Sequence, residues 1–303
     1  NVERIRPQSL EPFDFKKADM SGALWFAEGF TSYYTNLIIT RAGLKSEEDY
    51  INELSSGFSD VWNSPGRNFF NPIEMSYQAP FVDDATSIDP NNRNNTFISY
   101  YTYGSMLGLA LDLSLREIDL NLDDYMKLVW TNFGKPERPY KIQDLHNVLN
   151  DYAGIEFGDT FFGKYIYKSE MPDMERLFQQ VGVSLSQDNT KPYFGVTIKN
   201  KYVSSHPTID SPGYKNEFQQ GDEIISIDEV IFDSNTKLEE VLKAYKAGDS
   251  ITVLYSRYGE IKTASVLLDS DPAYTISLFE QVNKTPSDKQ LAIRKKWLAS
   301  KVE

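Results

Sequence analysis

The chain has 303 residues, 40% of them hydrophobic and 14% aromatic, with a formal net charge of −13. Such aromatic content argues for a globular protein with real cores and against disorder, and the acidic balance argues against nucleic acid, whose phosphates need a basic face. No run of about 18 apolar residues is present to span a membrane, and the absence of cysteine removes disulfides, thiolate metal sites and cysteine nucleophiles.

Residues 1–22 read as irregular and carry two prolines. In the stretch Leu24 to Leu44, Phe26, Phe30, Tyr33 and Leu37 repeat at helical spacing and predict a helix with a core stripe, stopping near Gly43. One carboxylate, Glu28, sits inside its apolar start, Trp25-Phe26-Ala27-Glu28-Gly29-Phe30. A carboxylate among apolar residues normally ends up neutral, paired or bound to a metal. From the residues alone the plainer outcome leads, a Glu28 favoured by the dipole of its own helix start.

Ser46, with Asp49 three residues on, approximates a capping box for a second helix. Residues 63–96, dense in Asn, Pro and Gly, read as loop. Residues 100–115, "YYTYGSMLGLALDLSL", are apolar nearly all round and predict a helix buried in the middle of a domain. Further helices are expected at 122–132, at 141–152 with Ile142, Leu145, Leu149 and Tyr152 on one face, and at 159–180.

The texture changes near Thr190. "YFGVTIKN" alternates as a strand, "GDEIISIDEVIF" gives a turn and two short strands, and "KLEEVLKAYKAG" a helix with Leu238, Val241, Leu242 and Tyr245 on one face. A hairpin follows around Tyr258-Gly259-Glu260. Residues 283–303 carry a basic surplus, read as a solvated face, and Ile293 with Trp297 suggests a short helix docking back. His146, beside an apolar stripe, reads as structural, and His206, before Pro207, as an exposed loop residue. Two histidines are too few for a zinc site built wholly from this chain, and no His-Glu-x-x-His occurs.

"LWFAEGFTSYY" resembles the segment that carries the third zinc ligand in gluzincin metallopeptidases. "NVERIRP", "SPGR", "PIEMSYQAPFVDD", "NNTFISYYTYGSMLGLALDLSLRE" and "LDDYMKLVW" follow in the order of the glycyl-aminopeptidase-like family, and the module from about 190 resembles the PDZ domain this family places C-terminally. The resemblance implies an α+β chain: the mainly helical C-terminal part of a gluzincin catalytic domain (1–188), a PDZ domain (189–270) and a tail with a docking helix (271–303). It implies that Glu28 is the glutamate zinc ligand and that Tyr101 hydrogen-bonds the tetrahedral intermediate, with Tyr100 the competing choice. The wider clan often reads Tyr-x-Lys-Gly at this point, where this chain has Tyr103 at the Lys position.

Both histidine ligands and the general-base glutamate are then expected before Asn1. The chain looks like a part that begins just after the zinc helix, so by itself it is expected to bind no zinc and to hydrolyse nothing, whereas the whole protein is expected to be a zinc aminopeptidase acting on peptides with small N-terminal residues. The PDZ resemblance implies capture of a C-terminal peptide by the Phe194-Gly195-Val196 loop, the following "VTIKN" strand receiving it. The expected partners are thus peptide substrate, a C-terminal peptide and the preceding region of the same protein, in a periplasmic or secreted location. The competing reading is a PDZ-containing scaffold that binds peptides and never had a zinc site.

Overall fold

The computed structural model describes residues 5–12, 14–82 and 91–299. The resembling residues at the chain start and at Asp83-Asp84, and the last four of the tail, lie outside them.

The predicted first helix is two segments, α1 (Leu24–Ala27) and α2 (Gly29–Arg41), which meet at Glu28. Its stripe is where the spacing puts it: Phe26, Phe30, Tyr33 and Leu37 are all buried. After Gly43, whose φ of +72° stops the helix, α3 (Glu47–Trp62) starts at Ser46, whose hydroxyl accepts the Asp49 amide at 3.0 Å.

Residues 63–96, expected as loop, contain a 3-10 helix (Pro65–Asn68) and, among the described positions, three short α-helices: α4 (Pro72–Tyr77), α5 (Ala79–Val82) and α6 (Arg93–Thr96). Local signals outweigh composition in α4, where Pro72 holds the first helical position and Asn71 and Glu74 form a reciprocal capping box. The central helix α7 (Tyr100–Glu117) is buried along most of its length. Next come α8 (Leu122–Val129), α9 (Ile142–Ala153) and α10 (Ile155–Phe161). The helix expected over 159–180 is broken into α10, a π turn and α11 (Met174–Gln179), the interruption falling ahead of Pro172, which disfavours helix in the residue before it.

Strand β1 (Val183–Gln187) pairs antiparallel with the much later β10 (Tyr274–Leu278), and both pack on the helical core through Val183 and Ile276. Between them lies a second core, Phe194 to Leu268. Its elements are β2 (Pro192–Tyr193), β3 (Ile198–Lys199), β4 (Tyr202–Val203), α12 (Pro212–Lys215), β5 (Glu223–Ile227), β6 (Val230–Ile231), α13 (Leu238–Leu242), β7 (Ser250–Arg257), β8 (Glu260–Leu267) and β9 (Asp269–Ser270). The sheet runs β3-β4-β5-β7-β8, with β6 beside β5. The predicted hairpin is present, its two turn residues Tyr258 and Gly259 both at positive φ, as a two-residue turn matching the strand twist requires. The single strand expected over "YFGVTIKN" is split into β2 and β3 because Gly195 takes φ +78°.

The chain ends in α14 (Asp288–Leu298), which lays Trp297 into the helical core. No described helix is long and apolar enough to cross a membrane.

Candidate functional site

Glu28 stands at the joint between α1 and α2, half-buried, with its amide donating to Leu24 O at 2.8 Å and its carbonyl accepting the Ser32 amide at 2.9 Å. Backbone ties therefore fix the main chain on both sides of the carboxylate. What brings α2 to α7 is glycine. A Cβ on Gly29 would lie 2.8 Å from the Tyr100 carbonyl oxygen, and one on Gly104 would overlap the Trp25 carbonyl. With a glycine on each helix at the contact, the two backbones cross without side chains between them, and Glu28 is set beside the first turn of α7.

That turn carries the two competing tyrosines, whose rings lie 4.9 Å apart. They differ in access: Tyr100 is 5% exposed and Tyr101 41%. Tyr101 lines a cleft of about 220 Å³ between α2, α3 and α7, together with Ser32, Asn36, Glu53, Thr102 and Ser105. Ser32 is one helical turn from Glu28, so the carboxylate lies a turn along α2 from the cleft that Tyr101 lines. Tyr103 is excluded from it: it is fully buried, and burial pushes its hydroxyl up to about 12.

Sequence reasoning did not find Tyr140. Its ring meets Phe26 edge-on at 5.7 Å, and its buried hydroxyl has no hydrogen-bond partner among the described residues. Burial first, and the Glu28 carboxylate second, push this hydroxyl well above its ordinary pKa. Tyr140 also anchors the chain start, accepting from the Gln8 amide at 2.8 Å and donating its own amide to Arg6 O at 3.0 Å. An isolated Tyr between a π turn and a helix carries no sequence signal for such a position.

The histidines are placed elsewhere. His146 Nε2 lies 2.8 Å from Asp159 Oδ1, and its ring stacks on Phe162 at 4.6 Å. His206 is exposed on the second core, its amide donating to Asn91 O. Among the described residues no group of three His, Asp or Glu side chains is placed to hold a metal. Among the described residues Glu28 is thus a carboxylate with no second and third donor grouped beside it.

The second candidate site is the Phe194-Gly195-Val196 loop. Phe194 is buried and its carbonyl accepts the Gly213 amide at 2.7 Å; the Gly195 carbonyl accepts the Thr208 amide at 3.0 Å. With both carbonyls held on the inner side, the loop is fixed in shape, and a Cβ at Gly195 would collide with Ser211. The loop leads into β3, the edge strand of the sheet, which is the placement strand addition requires. Leu238 and Leu242 of α13 close the core, while Val241 and Tyr245 are only partly buried at its edge. The helix is shorter than its apolar spacing predicts, since Ala244 and Tyr245 turn back with amides donating to Val241 O and Leu242 O.

Residues 1–107 match the family model of the M61 glycyl aminopeptidases, and residues 180–268 match that of the PDZ domain. The glycyl-aminopeptidase resemblance and the C-terminal PDZ domain read from the sequence are both shown by these matches. The chain superposes on the crystal structure of an aminopeptidase N family protein from Idiomarina loihiensis with a TM-score of 0.82 at 26% identity, over 99% of this chain and 52% of that one. It thus spans about half the length of that solved structure. A serine endoprotease from Yersinia pestis matches over 32% of this chain and 34% of its own, at 20% identity and a TM-score of 0.24, too low to carry an argument. No curated protein matches the chain.

Proposed function

We propose that this chain forms the glutamate-and-tyrosine side of a zinc-dependent aminopeptidase centre acting on peptides with small N-terminal residues, the other zinc donors coming from outside these residues. The observation that carries the reading is the glycine-to-glycine crossing that sets the α1–α2 joint at Glu28 against the first turn of α7, where Tyr101 lines a cleft with Ser32, a turn from Glu28. The M61 glycyl aminopeptidase match over the same segment supports the reaction and the small N-terminal residue.

Zinc, when bound, would polarise the scissile carbonyl and lower the pKa of a bound water. Glu28 offers an anionic oxygen on a main chain that the crossing holds still. Tyr101 presents a phenol hydroxyl at the cleft, where it donates a hydrogen bond to the oxyanion as charge develops, a contribution of about 2.7–4 kcal/mol for one such donor. Tyr100, shielded beneath it, supports its ring. At the PDZ domain, a peptide carboxylate meets the Phe194–Val196 loop and its chain lies along β3.

Metal analysis and kinetics test this. The chain alone is expected to hold no stoichiometric zinc and to hydrolyse no peptide. In the longer natural protein, Glu28→Gln is expected to weaken zinc binding strongly, and Tyr101→Phe to keep the zinc while kcat drops about 10²–10³-fold. If Tyr100→Phe shows that loss instead, the donor is the buried neighbour. Zinc affinity indifferent to Glu28→Gln sinks the proposal, and peptide binding by a longer protein with no zinc leaves a scaffold.

A further inference from the structure

The Tyr101 cleft does not end at α7. Thr102 lines it and also lines a second cleft, about 440 Å³, that lies between the helical part and the PDZ domain. Its helical walls include Asp60, Arg93 and Ser99, and its PDZ wall is Tyr193 and Thr208. Those two PDZ residues flank the candidate carboxylate loop: Tyr193 is two residues before Gly195, and Thr208 donates its amide to Gly195 O. The two clefts thus share Thr102 as a common wall, and the second reaches the side of the PDZ loop.

The cleft is preformed. Asn95, 2% exposed, donates from Nδ2 to Pro207 O at 2.9 Å and accepts the Ile209 amide on Oδ1 at 2.9 Å. Asn91 adds two bonds, accepting the His206 amide on its carbonyl and Gln220 Nε2 on Oδ1 at 2.8 Å. On the opposite flank Asn63 Nδ2 donates to Pro272 O at 2.6 Å. The walls are thus tied on both sides, and binding there costs no ordering of the domains.

The lining chemistry selects the ligand. Hydroxyls and amides supply much of it, and its two charges, Asp60 and Arg93, form no ion pair among the described residues; the Arg93 guanidinium lies over the Phe97 ring at 5.0 Å. Small-molecule pockets are mostly apolar with few polar groups. A trough lined as much by polar as by apolar surface, Pro65, Phe97 and Ile98 among the latter, with charges of both signs, suits an extended peptide, read at its amides and carbonyls as well as at its side chains.

We propose that this interdomain cleft is an extended-peptide site: a peptide whose amino end lies at Tyr101 continues past Thr102 toward Tyr193 and Thr208, making oligopeptides the substrate class in preference to dipeptides. This rests on the aminopeptidase reading for the direction of the chain, while the binding surface itself does not.

The experiment titrates this chain calorimetrically with Gly-Ala and with Gly followed by five Ala, and measures hydrolysis of both by the longer protein. The hexapeptide is expected to bind at least tenfold tighter and to show a higher kcat/KM. Thr208→Trp, which fills the PDZ wall, is expected to lower the hexapeptide-to-dipeptide ratio at least tenfold, and Arg93→Ala, which leaves the walls in place, to lower it severalfold. Circular dichroism checks that each variant folds. Equal binding of the two peptides, or a ratio that neither variant moves, overturns the cleft site even if hydrolysis occurs. Length-dependent binding sensitive to both variants, with no hydrolysis by the longer protein, upholds the cleft site and overturns the aminopeptidase reading.

Discussion

Gly104 bears more of the candidate site than either tyrosine beside it. Its missing side chain is what lets α7 rest on the backbone of Trp25, and so what brings the first turn of α7 against the joint that holds Glu28. Gly104→Ala puts a methyl into a carbonyl that cannot step aside, since α1 is itself packed on α7 and α4 through buried Trp25 and Phe26. Overpacking of this kind costs about 1–3 kcal/mol, more where backbone is the obstacle. The expected outcome is a loss of about 3 kcal/mol in urea unfolding, while Gly163→Ala, with open space around it, leaves stability within about 0.5 kcal/mol. Equal behaviour of the two variants would show that α7 can shift freely. At this scale the sequence was half legible. Glu28 stood out as a carboxylate in an apolar run, but a glycine contact between distant positions has no local pattern, and Gly104 served only to mark a register. The choice between Tyr100 and Tyr101 also needed coordinates, because both fall on the first turn and only packing tells which one reaches solvent.

Among the elements, α14 shows how far a spacing argument reaches. Ile293 and Trp297, four residues apart, gave the docking helix, and Trp297 is fully buried, its Nε1 donating to the Tyr33 hydroxyl at 2.9 Å. That hydroxyl in turn donates to Asp112 at 2.8 Å, which ties the C-terminal helix to α2 and α7. Burial, followed by the Asp112 charge, pushes the Tyr33 hydroxyl well above its ordinary pKa, so it stays a donor at any working pH. Trp297→Ala is expected to cost about 3–5 kcal/mol, read in urea unfolding; a cost under 1 kcal/mol would mean the helix merely rests on the surface. The basic run was less legible, since Arg294 is buried and paired with Glu280 while the charge surplus reads as a solvated face. A second element carries a pH signature. Asp228, in the turn between β5 and β6, accepts the Thr252 amide and the Tyr245 hydroxyl at 2.8 and 2.7 Å. The Thr252 amide first, then Tyr245, hold its carboxyl below the usual range, and the same bond raises the Tyr245 hydroxyl to about 12. A depressed folded pKa stabilises the fold fully above the unfolded value near about 4 and is lost as pH falls through the folded value. Melting temperature measured from about pH 6 down to about pH 2.5 is therefore expected to fall less steeply below about pH 4 in Asp228→Asn than in the parent. Parallel slopes would remove Asp228 from the acid transition.

Across the whole molecule, the order of a helical part followed by a compact α+β module could be read from periodicity, because hydrophobic spacing changes from helical to alternating near Thr190, while the resemblance gave that module as a PDZ domain. How the two parts sit together could not, because the contacts are single polar side chains in a stretch whose composition reads as loop. Asn95 is the chief of them: a buried amide with both ends committed to the PDZ domain, six residues ahead of Tyr101 in the chain. Truncating it leaves the Ile209 amide and the Pro207 carbonyl without this partner inside a covered contact, at a cost of about 1–3 kcal/mol for a buried group left unsatisfied. The two cores share few side chains, so calorimetry is expected to resolve the PDZ transition from the helical one once this staple is cut. Asn95→Ala should lower the PDZ transition by several degrees, on the scale of about 4–8 °C per kcal/mol for a domain of this size, and leave the helical transition in place. Because the same amide holds one wall of the interdomain cleft, the variant should also lose part of the hexapeptide's advantage over the dipeptide. A calorimetric trace superimposable on the parent's would show that the PDZ domain is held by other contacts, and that the walls of the cleft do not depend on Asn95.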